Sequence, residues 1–468
     1  MMFKAILFTA LTLTTAWATA QTPPTDLRVL IDVSGSMKSN DPNALRRPAA
    51  ELIARLLPPQ SDAGVWLFGT QTRALVQYGL VNQAWRANTL SSSSEISSSD
   101  QFTDIEQALS KGLAPQPSQE RQCHLILVTD GLIDLPQGAA EIRESRARIE
   151  SQLIPQAIDQ SCKIHTLSLS DQTDRALLNR LSQSTGGLSA QLEGAAQLLP
   201  VVLDALELAL PDNRLPIQGQ SFQVDSSVSK QTVISLTPTD QTLKLVTPDG
   251  QVIDPDNLPQ GVEYQSSQGF QLYQITDPQP GLWKSIGDAQ IDRVLAEADI
   301  GLDIVELPST IELGQPVNLV VRVLSNDQPV TLDTLELTGR LAGRDLRFET
   351  SEQGQIAALE FDAPGTYRLD IKARSGLFER TLNRTIEVIP PQAATALETG
   401  TTQGIQSFEA PTTLAKIDPI TQPAAPPAQS VSTNEGLTLI QWLWIILGSG
   451  LAIVIATAFW LARAEKKT

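Results

Sequence analysis

Leu27-Arg-Val-Leu-Ile-Asp-Val-Ser-Gly-Ser-Met37 is the stretch from which the rest of this chain can be read. Val29, Leu30 and Ile31 form a short apolar run of the kind that is buried on both faces of a parallel sheet. At the carboxyl end of the run the polarity switches to Asp32, Ser34 and Ser36, which offer one carboxylate and two hydroxyls at a tight turn. Oxygen-only donors of this kind suit a hard divalent cation such as Mg²⁺, which also keeps some water. Alone, the D-x-S-x-S turn is a weak signal, because a buried strand followed by a Ser/Gly turn is common.

Around that strand, residues 26–210 alternate strand-like and helical runs. Leu45, Ala49, Leu52, Ile53 and Leu56 recur at helical spacing over residues 43–57, and Gly64-Val-Trp-Leu-Phe68 and Ala74-Leu-Val-Gln-Tyr78 read as strands. A Ser-rich stretch over residues 91–100 reads as a solvated loop and leads to a helix start at Thr103-Asp-Ile-Glu-Gln-Ala-Leu109. His124-Leu-Ile-Leu-Val128 and Ile164-His-Thr-Leu-Ser-Leu169 are further strands, and the helix over residues 140–154 should end or kink at Pro155. The alternation predicts an α/β fold: a doubly wound, mostly parallel, Rossmann-like sheet covered on both faces. In such a sheet ligands bind outside the carboxyl ends of the strands, where strand order reverses. Asp130 follows the strand ending at Val128, so if the two strands are neighbours it lies beside Asp32, Ser34 and Ser36. Thr103 can reach the same place from its helix start.

Asp32-Val-Ser-Gly-Ser36, the Thr103-Asp104-Ile105 step and Val128-Thr-Asp-Gly131, in this order and at these separations, resemble the von Willebrand factor type A (vWA) domain. The resemblance covers residues 26–210. It implies a metal-ion-dependent adhesion site in which Ser34, Ser36 and Thr103 coordinate through hydroxyls, while Asp32 and Asp130 coordinate directly or through water. It also implies Mg²⁺, or Mn²⁺ or Ca²⁺, with one position open to a Glu or Asp carboxylate of a protein partner. Within that framework Cys123 and Cys162 open adjacent parallel strands at the edge opposite the metal, which makes them a disulfide candidate; two free buried thiols are the alternative. His124 and His165, the only histidines, lie inside strand-like runs and suit a core role better than a zinc site.

Beyond residue 210 the pattern is all strand. Runs at Leu243-Lys-Leu-Val246 and Gln251-Val-Ile253 flank a Pro248-Asp249-Gly250 turn, a hairpin signature. Pro280-Gly-Leu-Trp283 is echoed by Pro364-Gly-Thr-Tyr367. This echo predicts two β-sandwich modules, residues 212–300 and 301–390, similar to immunoglobulin-like domains. Residues 391–435, rich in Pro, Ala and Thr, cannot bury a core and read as a linker.

Both ends point to export and anchoring. Residues 1–20 carry Lys4, an apolar run and a closing Ala18-Thr19-Ala20, the pattern of a signal peptide. Residues 437–461 hold no charge, and at about 1.5 Å per residue that length crosses a ~30 Å hydrocarbon core as one transmembrane helix. Trp442, Trp444 and Trp460 lie near its ends, and Arg463, Lys466 and Lys467 place the tail, residues 462–468, in the cytoplasm. The ectodomain is then outside, in the periplasm or at the cell surface. Gly448, Ala452 and Ala456 form a small-residue row that permits weak self-association.

A net charge of −18 over 468 residues argues against nucleic acid as a partner. The chain has no H-E-x-x-H, no G-x-S-x-G and no general base beyond the candidate ligands, which disfavours an enzyme. Two functions fit. One is a membrane-anchored, divalent-metal-dependent protein-binding protein, acting in adhesion or as an envelope scaffold. The other is an assembly factor working with a separate ATPase in maturation of an envelope complex, since this chain holds no G-x-x-x-x-G-K-[ST] of its own.

Overall fold

The computed structural model describes residues 25–391, except 117–120, 211–212, 238–240, 306, 327, 333 and 377. The signal segment, the linker beyond Pro391, the apolar span at 437–461 with its small-residue row, and the basic tail lie outside the described residues. Among the described residues no helix is long and apolar enough to cross a membrane.

The first apolar run forms strand β1 (Asp26–Asp32), buried along its whole length. It joins β2 (Asp62–Phe68), β3 (Arg73–Leu80), β4 (Cys123–Thr129), β5 (Cys162–Ser168) and β6 (Ser189–Gln191) in a six-stranded sheet of order β3-β2-β1-β4-β5-β6. Only β3 is antiparallel to its neighbour. Side chains alternate between two cores, as strand geometry requires. Leu27, Val29 and Ile31 pack with Leu52 and Ile53 of helix α1 (Arg46–Leu56), whereas Leu30 packs with Ile105 and Leu109 of α2 (Ile105–Leu113). Both faces are therefore covered, and β1 lies between β2 and β4, at the point where the strand order turns.

Two local readings need correction. The Ser-rich stretch is not a solvated loop throughout: a helix runs over Gln83–Ser92, a 3₁₀ turn follows at Ser93–Glu95, and Ile96 is fully buried. Its low-propensity sequence holds because Asn82 caps the Trp85 N–H at 2.9 Å and the Trp85 ring is buried. Pro155 neither ends nor sharply breaks its helix. The chain runs through a helix at Ala139–Arg148, widens into a π turn at Ile149–Leu153, and continues as a helix at Ile154–Asp159 with the proline in its first turn. There Pro155 lacks only a donor that the new helical segment would leave unused, and the π turn absorbs its ring.

The remainder is β-rich. Strands at Val228–Ser235, Phe270–Thr276 and Arg293–Ala298 share a core with strands at Ser221–Val224, Lys244–Val246 and Gly281–Ile286, centred on Phe222, Tyr273 and Trp283. Strands at Gly365–Arg374 and Glu379–Ile389 share a second core with Ile300–Val305, Val317–Ser325 and Gly354–Leu359. A two-residue strand, Asn213–Arg214, pairs with Arg293–Ala298 on one side and Glu379–Ile389 on the other. It merges one sheet of each core into a single ten-stranded sheet. Gly281 and Gly365, the glycines of the echoed turns, both open strands at positive φ, 136° and 148°.

The α/β part is tied to the β-rich part by buried charge. Glu207, 6% exposed on the helix Leu198–Ala209, pairs with both Arg214 and Arg293, and Arg293 also bonds Asp204 at 2.7 Å.

Candidate metal centre

Parallel pairing of β1 with β4 sets Ile31 opposite Val128, so the chain leaves the sheet at Asp32 beside Thr129-Asp130. Thr129 donates its hydroxyl to Asp32 Oδ2 at 2.7 Å, and the Ser34 N–H donates to Oδ1 at 2.8 Å. Ser34 Oγ and Ser36 Oγ lie 3.1 Å apart, and Ser36 Oγ donates to Asp130 Oδ1 at 2.8 Å. Asp32, Ser34 and Asp130 are buried, while Ser36 reaches the surface. Thr103 comes from a third loop. Its backbone exchanges hydrogen bonds with Asp134, N–H to O at 2.9 Å and O to N–H at 3.1 Å. A Cβ placed on Gly131 would sit 3.8 Å from Thr103 Oγ1, which puts that hydroxyl against the residue after Asp130. Asp104, the N-cap of α2, fixes the helix start by accepting from the Gln107 N–H at 2.9 Å.

The structure thus brings all five candidate ligands, Asp32, Ser34, Ser36, Thr103 and Asp130, to one end of the sheet. Two carboxylates and three hydroxyls form a hard, all-oxygen donor set, which fits Mg²⁺, Mn²⁺ or Ca²⁺ and not a soft metal. Among the described residues no group of three or more His, Cys, Asp and Glu side chains could hold a metal, so an ion at Asp32 and Asp130 would need further oxygen ligands, which the three hydroxyls offer. Burial pushes the Asp32 carboxyl up to about 6; the hydrogen bonds from Thr129 and Ser34 oppose that rise and the Asp130 charge adds to it.

Several supporting residues escaped the sequence reading. Asn40, at the end of a short helix Met37–Asn40 anchored by the fully buried Met37, donates to Asp130 Oδ2 at 2.8 Å. Arg46, 1% exposed, pairs with Asp41 at 2.7 Å and donates to the Asp32 carbonyl and to Ser98 Oγ, at 2.8 Å for the latter. It therefore fastens the first ligand loop to the Ser-rich segment. At the end of that segment the Asp100 N–H donates to the Val33 carbonyl at 3.1 Å. Asp100 packs so closely on Gly69 that any side chain there would meet its Cβ at 2.4 Å. Only for Thr129 was there a sequence cue, its place directly before Asp130. Asn40 and Asp100 depend on loop paths that no motif records.

Cys123 and Cys162 are register partners at the starts of β4 and β5 and form a disulfide, away from the ligand loops. His124 and His165 are fully buried. The Leu188 N–H donates to His165 Nδ1 at 3.0 Å, so His165 carries its hydrogen on Nε2 and donates it to His124 Nδ1 at 2.9 Å. Burial holds both rings neutral, pushing His165 down to about 3 and His124 well below its ordinary value.

Residues 25–190 match the family model of the von Willebrand factor type A domain, and residues 208–286 match one described as the Hemicentin galactose-binding domain-like family. The first match agrees with the α/β sheet and the second falls in the β-rich region. No curated protein sequence matches the chain. Among solved structures, the von Willebrand factor type A protein from Catenulispora acidiphila is similar at 12% identity and TM-score 0.34, over 78% of this chain and 66% of that one. The ArnB paralogue VWA2 from Sulfolobus acidocaldarius is similar at 12% identity and TM-score 0.30, over 79% of this chain and 68% of that one. Proximal thread matrix protein 1 of the mussel byssus, with a zinc-occupied MIDAS motif, is similar at 14% identity and TM-score 0.31, over 40% of this chain and 48% of that one. The chain spans about two thirds of the length of the first two.

Proposed function

We propose that the chain is a membrane-anchored, divalent-metal-dependent protein-binding protein whose vWA domain faces the periplasm or the cell exterior. The observation that carries this reading is the convergence of three loops on one hydrogen-bonded set: Ser34, Ser36 and Asp130 in a chain at 3.1 and 2.8 Å, with Thr103 against Gly131. Ser34, Ser36 and Thr103 hold the ion through hydroxyls, Asp130 and Asp32 through carboxylates, and Asn40, Thr129 and Arg46 keep those ligands in place. The bound ion supplies a positive centre that accepts an oxygen ligand from outside. Asp32 and Asp130 only just balance a dication, so the remaining position favours an anionic oxygen, which a Glu or Asp of a protein partner provides. The uncharged span at 437–461 anchors the chain in the membrane. The work is binding and not catalysis, in adhesion or as a scaffold of the envelope.

The test is retention of a partner from a detergent extract of source membranes on the immobilised full chain. A partner held in Mg²⁺, lost in chelator and not held by Asp130→Ala agrees with the reading. Equal retention under all three conditions overturns it.

A further inference from the structure

Beside the metal loops the α/β domain does not stand free. Asn40, whose amide holds Asp130 Oδ2 at 2.8 Å, is also part of the wall of an open cavity of about 670 Å³. The near wall of this cavity includes Asp171 and Arg175 after β5 and Glu193 after β6; the far wall is Gly365, Thr366 and Glu387 of the second β core. The volume lies in the range of ordinary ligand clefts. One side chain therefore belongs both to the metal centre and to a groove whose other side is built by a different domain.

The groove has a charge character. Asp171, Glu193 and Glu387 face it with Arg175 as the one cation among the residues of its wall. Glu387 is the informative member. Its carboxylate is half-buried and accepts one side-chain hydrogen bond, from Thr366 Oγ1 at 2.6 Å. Burial raises its carboxyl above the ordinary range, and neither Thr366 nor the nearby Arg175 charge cancels that rise. A carboxylate left in that condition gains from a further cation.

Resting on the metal-dependent reading above, we infer that the partner's segment lies in this groove, with the second β core as part of the recognition surface, and presents a Lys or Arg near the carboxylate that it offers to the ion. The β-rich region then takes part in recognition. The cation of the segment meets Glu387 and Glu193, while its carboxylate reaches past Asn40 to the ion.

The experiment pans a phage library of random heptapeptides against the immobilised full chain in Mg²⁺, with elution by chelator. Recovered peptides should share an acidic residue with a Lys or Arg at fixed spacing. Their synthetic forms should bind the Glu387→Gln variant about tenfold or more weakly, as for loss of one charge-assisted contact. Thr366→Trp, an exposed position in the far wall, should block them while leaving Mg²⁺ binding of the protein alone unchanged. Chelator-eluted peptides that are acidic but show no basic preference, and that ignore both variants, overturn the groove and leave the metal reading intact. Recovery of no chelator-sensitive peptide counts against the metal-dependent reading itself, and the inference falls with it.

Discussion

Asp32→Asn should stabilise the metal-free protein at neutral pH. In the fold Asp32 is fully buried, and its carboxyl is pushed from 3.8 to about 6, chiefly by burial. The folded chain then binds this proton more tightly than the unfolded chain. Its contribution to stability is complete below pH 4 and is lost as pH rises through 6. At about 1.4 kcal/mol for each tenfold change in proton affinity, burying Asp32 costs the metal-free protein about 3 kcal/mol at pH 7.5, where it is ionised, and about 1 kcal/mol at pH 4.5, where the folded chain instead holds a proton on it that the unfolded chain has mostly released. Asparagine keeps the shape: its carbonyl accepts from the Ser34 N–H, its amide donates to the Thr129 hydroxyl, and no charge is buried. Calorimetry of the full chain in chelator should therefore place the variant midpoint several degrees above wild type at pH 7.5, at about 2–4 °C per kcal/mol. The gap should narrow on acidification. Addition of Mg²⁺ should raise wild type and leave the variant unmoved. A variant no more stable than wild type in chelator at pH 7.5, or a gap that does not narrow at pH 4.5, would refute the reasoning.

Other perturbations have defined outcomes. Glu207→Gln leaves Arg214 and Arg293 with only the more exposed Asp204, at 3.7 and 2.7 Å, as their shared carboxylate and should cost about 2–3 kcal/mol in a urea titration, whereas a change under about 1 kcal/mol would mean water reaches that network. Reduction of Cys123–Cys162 opens a loop of sequence separation 39 and should lower stability by about 4 kcal/mol on the loop-entropy account, without altering Mg²⁺ affinity. Asn40→Ala leaves the buried Asp130 Oδ2 without this donor and should weaken Mg²⁺ affinity about 10- to 100-fold while costing only about 1–3 kcal/mol of stability in chelator, so the protein stays folded; unchanged Mg²⁺ affinity in titration calorimetry would place Asn40 outside the metal centre.

The α/β half was legible because its signals are local. Val29, Leu30 and Ile31 are apolar, and the switch to Asp32 marks where the strand leaves the sheet. Thr103 and Asp130 could be joined to it only through the resemblance, since nothing in either stretch says which strands are neighbours. The helix at Gln83–Ser92 was hidden by its Asn, Thr and Ser residues, which are weak helix formers; a cap at Asn82 and the burial of Trp85 decide it instead. Asn213–Arg214, two residues long, carries no strand pattern, yet it fuses two sheets because its neighbours in space come from residues near 295 and 381. The groove beside the metal loops was illegible for the same reason, since Asn40 and Glu387 come to line one cavity only through the packing of one domain on another.

The central claim is that these five side chains bind a divalent ion. Isothermal titration of Mg²⁺ or Mn²⁺ into the full chain tests it most directly, with Asp130→Ala and Thr103→Ala beside wild type. Wild type should show a single site, Asp130→Ala should lose it, and Thr103→Ala should bind more weakly, with all three proteins folded. Equal heats and affinities in the three titrations would place the ion elsewhere and contradict the claim.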